Sequence, residues 1–281
     1  AAVFSPGGGV LNPIKLINAL KEIAHHQGVH IYEQSPVRKI NSGSVETQNG
    51  DIKASKIILA TDSYSHFLAP NLIRRFIPLY DYILVSEPLA ESQMDLIGWK
   101  KRQGVTDGRT FFNYYRLTKD NRILWGTSEA QYYSPNRVDS SCDHSEYHYS
   151  ALKESFVKHF PQLSELQFEY SWGGPIASTT RLTPFFGTLD RGRTLYALGY
   201  TGHGLGSTRL AGKILAHMAL EKRSDLLDLA LVQNKPVPYP PEPFRKLAVK
   251  AVTNALRKTD QGEKESVLLK ILNRLRIGFS S

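Results

Sequence analysis

Gly199-Tyr200-Thr201-Gly202-His203-Gly204-Leu205-Gly206-Ser207-Thr208-Arg209 is the stretch on which the reading of this chain turns. Leu195-Tyr196-Ala197-Leu198 before it has the apolar run of a strand, and Leu205 to Leu220 after it keeps helical spacing. Glycines in such a turn let the backbone approach a ligand closely. The helix start adds unpaired N–H groups and the positive end of a dipole. An anion or a partial negative charge is expected there, although glycine-rich helix entries also occur with no ligand.

The α/β idiom also opens the chain. Asn12 is a good N-cap, Pro13 suits the first turn, and Ile14, Ile17, Leu20, Ile23 and Ala24 share one face, which predicts a helix over 13–27 stopped by Gly28. Val29-His30-Ile31-Tyr32-Glu33 alternates and predicts a strand. Val45–Thr47, Asn49-Gly50 and Ile52–Ala54 spell a β-hairpin. The continuous apolar run Ile57–Ala60 predicts a parallel strand covered on both faces. The first 61 residues thus look like the later part of an α/β unit.

The middle differs. Tyr82–Val85, Phe111–Tyr115 and Ile123–Gly126 are aromatic strands between polar turns, the pattern of an antiparallel sheet. A helix is expected over about 144–160, ended by Pro161, and a strand over Leu166–Tyr170. The chain then returns to the α/β idiom, so one domain is split in sequence by an inserted sheet domain. Pro236–Pro241 reads as an extended linker. Two amphipathic helices follow, the first with Phe244, Leu247, Ala248, Ala251, Val252, Ala255 and Leu256 on one face, the second from Val267 to Leu275.

At 281 residues and 41% apolar composition the chain can bury a substantial core. Its apolar runs are far shorter than the roughly 20 residues of a membrane span, and no signal peptide opens the printed sequence. The single Cys142 excludes an internal disulfide framework and points to a reducing compartment, the cytoplasm. Of the net +9, the segment Glu242–Ser281 carries +5, with nine basic and four acidic side chains. That tail could meet a membrane surface or another subunit, or be a solvated helix face; no nucleic-acid partner is expected. His25-His26 point apart on a helix, and His144 with His148 lack a third ligand, so no metal is expected.

Three readings of the glycine turn stay open on local sequence. A dinucleotide pyrophosphate would want glycine at 207 or 209, where Ser207 and Arg209 stand. The pyrimidine edge of a flavin, which turns negative at N1 and O2 on reduction, needs no such spacing. The third reading is a turn with no ligand.

The series Gly9-Val10-Leu11-Asn12-Pro13, Val37, Gly50, Ile57–Thr61, Trp172-Gly173-Gly174, Pro184-Phe185-Phe186-Gly187 and Gly199–Gly206 resembles the D-amino-acid-oxidase-like superfamily, over roughly residues 5–222. The resemblance implies an α/β plus antiparallel β fold: an incomplete FAD-binding, Rossmann-like domain (1–75 and 171–222), an inserted mixed or antiparallel sheet domain for substrate (76–170), and a linker with a helical extension (223–281). It implies FAD, held noncovalently because Cys142 matches no attachment position. Val37 would meet the adenine end. Ala60 and Thr61 would lie near the phosphates and ribitol. Gly202, His203, Gly204 and Leu205 would cover the N1/O2 edge.

The implied activity is oxidation of a C–N bond in a small amine or amino acid, with hydride passing to flavin N5 and an imine that water hydrolyses. Such a site calls for a cation to hold a substrate carboxylate and for an aromatic wall. Arg116 and Arg181 are the candidate cations and Tyr114 the candidate wall, each equally readable as structural. The sequence departs from the family in lacking any strand followed by G-x-G-x-x-G, without which the pyrophosphate loses its helix-dipole site. This chain alone is therefore expected to bind FAD weakly or not at all. A different class of function, a catalytically silent binding or scaffold protein, remains the alternative; another is a flavoenzyme that passes electrons to a membrane quinone.

Overall fold

Asn12 accepts the Lys15 N–H at 3.0 Å and opens α1 (Pro13–His26), close to the predicted helix. The computed structural model describes residues 2–278. None of the α1 side chains is buried, and Ile14, Ile17, Leu20 and Ile23 are each more than half exposed. The predicted strand Val29–Glu33 does not form. A strand exists through its ladder, and among the described residues no strand pairs with this segment; the Val29 N–H closes the helix end on the Ala24 carbonyl instead.

The hairpin is present as β2 (Ser44–Thr47) and β3 (Gly50–Lys53), and β1 (Val37–Asn41) joins it as a third antiparallel strand. β4 (Ile57–Leu59) buries Ile57 and Leu59, but Ile58 is 47% exposed. One face is covered rather than the two expected.

A short helix, α2 (Ser65–Leu68), leads to β5 (Ile77–Ser86). Then come α3 (Glu91–Ile97), β6 (Val105–Thr106), β7 (Asn113–Leu117), β8 (Ile123–Thr127), β9 (Gln131–Tyr132) and α4 (Glu146–His159). β10 (Phe168–Ser178) completes an antiparallel sheet of order β10-β5-β8-β7-β6, with β9 also paired to β5. Its core lies on the α4 side, where Tyr80, Tyr82, Trp125, Tyr149, Leu152 and Phe156 pack together. β10 runs on past residue 170 to Ser178, pairing with β5 as far as Ile77. This antiparallel sheet is thus continuous with the segment that leads back into the α/β part.

That part is a three-stranded sheet. β11 (Phe185–Leu189) is antiparallel to β12 (Thr194–Leu198), and β12 is parallel to β4. α5 (Gly204–Ala219) covers one face through Ala211, Ile214 and Leu215, which meet Phe186, Leu195 and Ala197. On the other face Phe76, Ala177, Phe185, Tyr196 and Leu198 form a second cluster.

The chain then passes α6 (Ala230–Gln233) and the extended linker to α7 (Phe244–Asp260) and α8 (Val267–Arg274). The linker is strapped down: Tyr239 N–H donates to the Arg74 carbonyl, Arg75 donates to that of Pro236, and Thr180 to that of Val237. Arg245, only 3% exposed, donates to Asn136 Oδ1 at 2.7 Å and to the Pro240 carbonyl. The face of α7 turned inward carries Arg245, Ala248, Val249 and Val252, rotated from the predicted one, so Phe244 and Leu247 stand exposed. A charged anchor, invisible to an apolar periodicity count, sets that rotation. No helix among the described residues is long and apolar enough to cross a membrane.

Candidate functional site

β12 ends at Leu198, and Gly199 (φ +87°), Thr201 (φ +49°) and Gly202 (φ +82°) turn the chain into α5. Gly199 has no room for a side chain, since a Cβ there would sit 2.3 Å from Thr179 Cγ2. No side chain caps α5, so its first-turn N–H groups keep their donor capacity for a ligand.

Asp62 organises the turn. It stands just after β4 with φ +37°, and its two carboxylate oxygens accept N–H groups from Gly199 at 2.9 Å and Ala177 at 3.2 Å. It therefore ties together the ends of three strands. Burial raises its pKa, while the backbone donors Gly199 and Ala177 pull the other way. Tyr200 beside it is pushed up to about 12, mainly by burial and then by the Asp62 charge.

Between these elements lies an open cleft of about 420 Å³, lined among others by Ala60, Asp62, Ile176, Tyr200, Gly202 and Gly204. Ala60, Gly202 and Gly204, distant in sequence, are thus brought together. Thr61 is adjacent and bonds Ser65 Oγ at 3.0 Å through its hydroxyl. His203 and Leu205 belong to the same turn but are not among the lining residues. His203 Nδ1 lies 3.0 Å from the Thr201 carbonyl. Val37 is on β1, in a separate sheet, and does not line the cleft.

The face of the antiparallel sheet opposite the aromatic core begins at this cleft. Alternation along β10 puts Trp172, Gly174 and Ile176 on it, and the Ile176 side chain reaches within 3.9 Å of where a Gly202 Cβ would stand. Asp81 and Ile83 of β5, and Tyr114 and Arg116 of β7, share that face. Tyr114 lies across Gly126 and donates to Asp81 Oδ2 at 2.5 Å. Arg181 is placed elsewhere: its guanidinium donates to the carbonyls of Pro184, Leu231 and Asn234, holding the linker. Asp81 and Ile176 escape sequence reading, because their positions matter only through cross-strand neighbours far along the chain.

The order of these pieces has counterparts. The sequence model of the FAD dependent oxidoreductase family, DAO, matches residues 1–218. This chain belongs to that family.

Among relatives of this DAO-family chain is the probable oxidoreductase OrdL of Haemophilus influenzae, 31% identical over 226 residues, which cover 78% of this chain and 49% of the relative. Gamma-glutamylputrescine oxidoreductase of Escherichia coli is 30% identical over 223 residues, covering 77% and 49%. The chain therefore spans about half the length of these relatives. The glycine oxidase of Geobacillus kaustophilus shares the fold with a TM-score of 0.61 at 19% identity, over 78% of this chain and 57% of that one. The DAO fold thus accounts for the α/β sheet, the inserted antiparallel sheet and their junction.

The residues present suit the flavin end of FAD. They supply an uncapped helix start, glycines at 202 and 204, and a cleft against the antiparallel sheet at Ile176. Among the described residues there is no strand followed by G-x-G-x-x-G to hold the pyrophosphate.

Proposed function

We propose that this chain is the flavin-edge and substrate-binding part of an FAD-dependent enzyme that oxidises a C–N bond in a small amine or amino acid. The observation that carries this reading is the meeting of the α5 turn with the substrate-sheet face at Ile176 and Gly202. A ring seated over the turn has a protein wall of mixed polarity directly beside it.

FAD, bound noncovalently, supplies the acceptor for hydride leaving the carbon next to the amine, and the imine so formed hydrolyses in water. This chain's own residues do the rest. The N–H groups at the start of α5 meet the negative charge that gathers at the ring edge on reduction, without reorganising. Asp62 keeps the turn in place through Gly199 and Ala177. Tyr114 forms part of the wall that fixes the substrate, and Arg116, farther from the turn on the same face, is placed to meet a distant anionic group. The names of the relatives, one acting on gamma-glutamylputrescine and one a glycine oxidase, support an amine or amino-acid substrate.

The test is anaerobic bleaching of flavin absorbance in the complete FAD-loaded enzyme of which this chain would be a part, on adding amino acids, N-methyl amino acids and polyamine derivatives. Bleaching by at least one class is expected. None across all three would favour the silent binding protein instead.

A further inference from the structure

Asp81 sits in the middle of β5 with its side chain on the face away from the aromatic core, since Tyr80 and Tyr82 on either side belong to that core. Its two oxygens are unlike. Oδ2 accepts the Tyr114 hydroxyl at 2.5 Å. Oδ1 is buried and accepts no side-chain hydrogen bond among the described residues; beside Tyr114, the Tyr82 backbone N–H is the donor that lowers the carboxyl pKa. Leaving such an oxygen short of donors is costly, and folded proteins rarely do it where nothing completes the site.

The position across the strand pair is a glycine. Gly174 is the direct cross-strand partner of Asp81, so a side chain there would point to the same face; a Cβ at Gly174 meets nothing within 4 Å. One two-residue step along β10, roughly 7 Å, leads to Ile176 and the Gly202 turn. On the far side, Tyr114 holds Oδ2 and is itself fixed, lying so close over Gly126 that a Cβ there would fall 2.4 Å from its ring. The result is a carboxylate held at one oxygen, its buried second oxygen across the strand pair from a glycine, two residues from the cleft.

We propose that Asp81 anchors the cationic nitrogen of the substrate, its Oδ1 accepting an N–H from an alkylammonium group seated over Gly174 while Tyr114 positions the carboxylate. The proposal rests on the amine-oxidation reading and narrows it: recognition is of the amine itself. Arg181, bonded to the linker carbonyls, is not on this face. Burial pushes the Asp81 carboxyl up to about 6, and a bound cation would bring it down. Tyr114, raised well above the usual phenol range by burial and then by the Asp81 charge, stays protonated as the donor.

The experiment is calorimetric binding of butylamine, butan-1-ol and butyrate to this chain at pH 7.5, with and without added FAD. Butylamine should bind more tightly than its neutral isostere. Asp81→Asn should weaken butylamine by about 10- to 100-fold, the range of one charge-assisted hydrogen bond, and leave butan-1-ol within about twofold. A merely structural residue would lower both alike. Gly174→Val, which fills the space across from the carboxylate while leaving Asp81 itself in place, should abolish binding of both, and Tyr114→Phe should retain the amine preference.

No preference of the wild type for butylamine over butan-1-ol overturns the proposal. So does tightest binding by butyrate, equal loss for both ligands in Asp81→Asn, or unchanged binding in Gly174→Val. The two readings fail separately. Amine-dependent bleaching with unchanged KM in Asp81→Asn keeps the oxidation and discards the anchor. Asp81-dependent butylamine binding with no bleaching by any amine does the reverse.

Discussion

A carboxylate whose pKa burial lifts to about 6 binds its proton more readily in the folded protein than in the unfolded chain, where Asp titrates near 3.9. As pH rises through about 4 the unfolded state ionises first, so the folded state loses ground until Asp81 ionises too, near 6. Above that the penalty is constant, at up to about 3 kcal/mol. Asp81→Asn should therefore raise stability at pH 7.5 by about 1–3 kcal/mol, with the gain vanishing toward pH 4. Urea unfolding at the two pH values reads this, and a less stable variant at pH 7.5 would contradict it. Tyr114 and Arg116 could be named from sequence as a candidate wall and a candidate cation, and their register on β7 puts them on one face. Asp81 could not be, because a lone acid in an aromatic strand has no local signature; its meaning comes from Gly174, on another strand.

For the elements, the turn into α5 offers two glycines with opposite expectations. Gly199 combines φ +87° with contact to Thr179, so Gly199→Ala should cost about 2–4 kcal/mol and loosen the Asp62 bonds. Gly206 lies within α5 with nothing within 4 Å of its would-be Cβ, and Gly206→Ala should stabilise by about 0.5–1 kcal/mol. Thermal melts of the two variants should move in opposite directions; a shared direction would mean that the turn is not built as described.

Helix α1 was readable from its Asn12 cap, Pro13 and sustained period, and α5, α7 and α8 from helical spacing without a start signal. β10 was read too short. Gly173, Gly174 and Pro175 break the propensity of a strand, yet Gly173 is needed where it is, since a Cβ there would fall 2.5 Å from the Tyr82 ring. Val29–Glu33 shows the converse: propensity without a neighbouring strand forms no ladder.

In the molecule as a whole, the tail is held by a few buried polar contacts. Asp260 accepts the N–H groups of Thr110 and Phe111 at 2.8 Å each, and Arg245 bonds Asn136, which in turn donates to the Ile73 carbonyl. Arg245→Ala should cost about 2–4 kcal/mol by removing a buried charged donor from the Pro240 carbonyl and from Asn136 Oδ1, which keeps only the Tyr132 hydroxyl. Limited proteolysis should then cut first between 234 and 243; unchanged cleavage would show that the linker is held without it. FAD titration of this chain is expected to give a dissociation constant weaker than micromolar, because the turn holds a ring edge but supplies no pyrophosphate site. Saturation near micromolar would refute that.

β4 carries one more consequence. Its outer side has no pairing strand among the described residues, Ile58 is half bare, and the apolar side of α1 is bare too. Such a margin is adhesive. In a concentrated preparation the chain should add copies to itself, so that light scattering climbs steeply with concentration and the usable stock is dilute. Ile58→Lys, a charge placed on that margin, should extend the storage range without shifting the melting midpoint by more than about 1 °C.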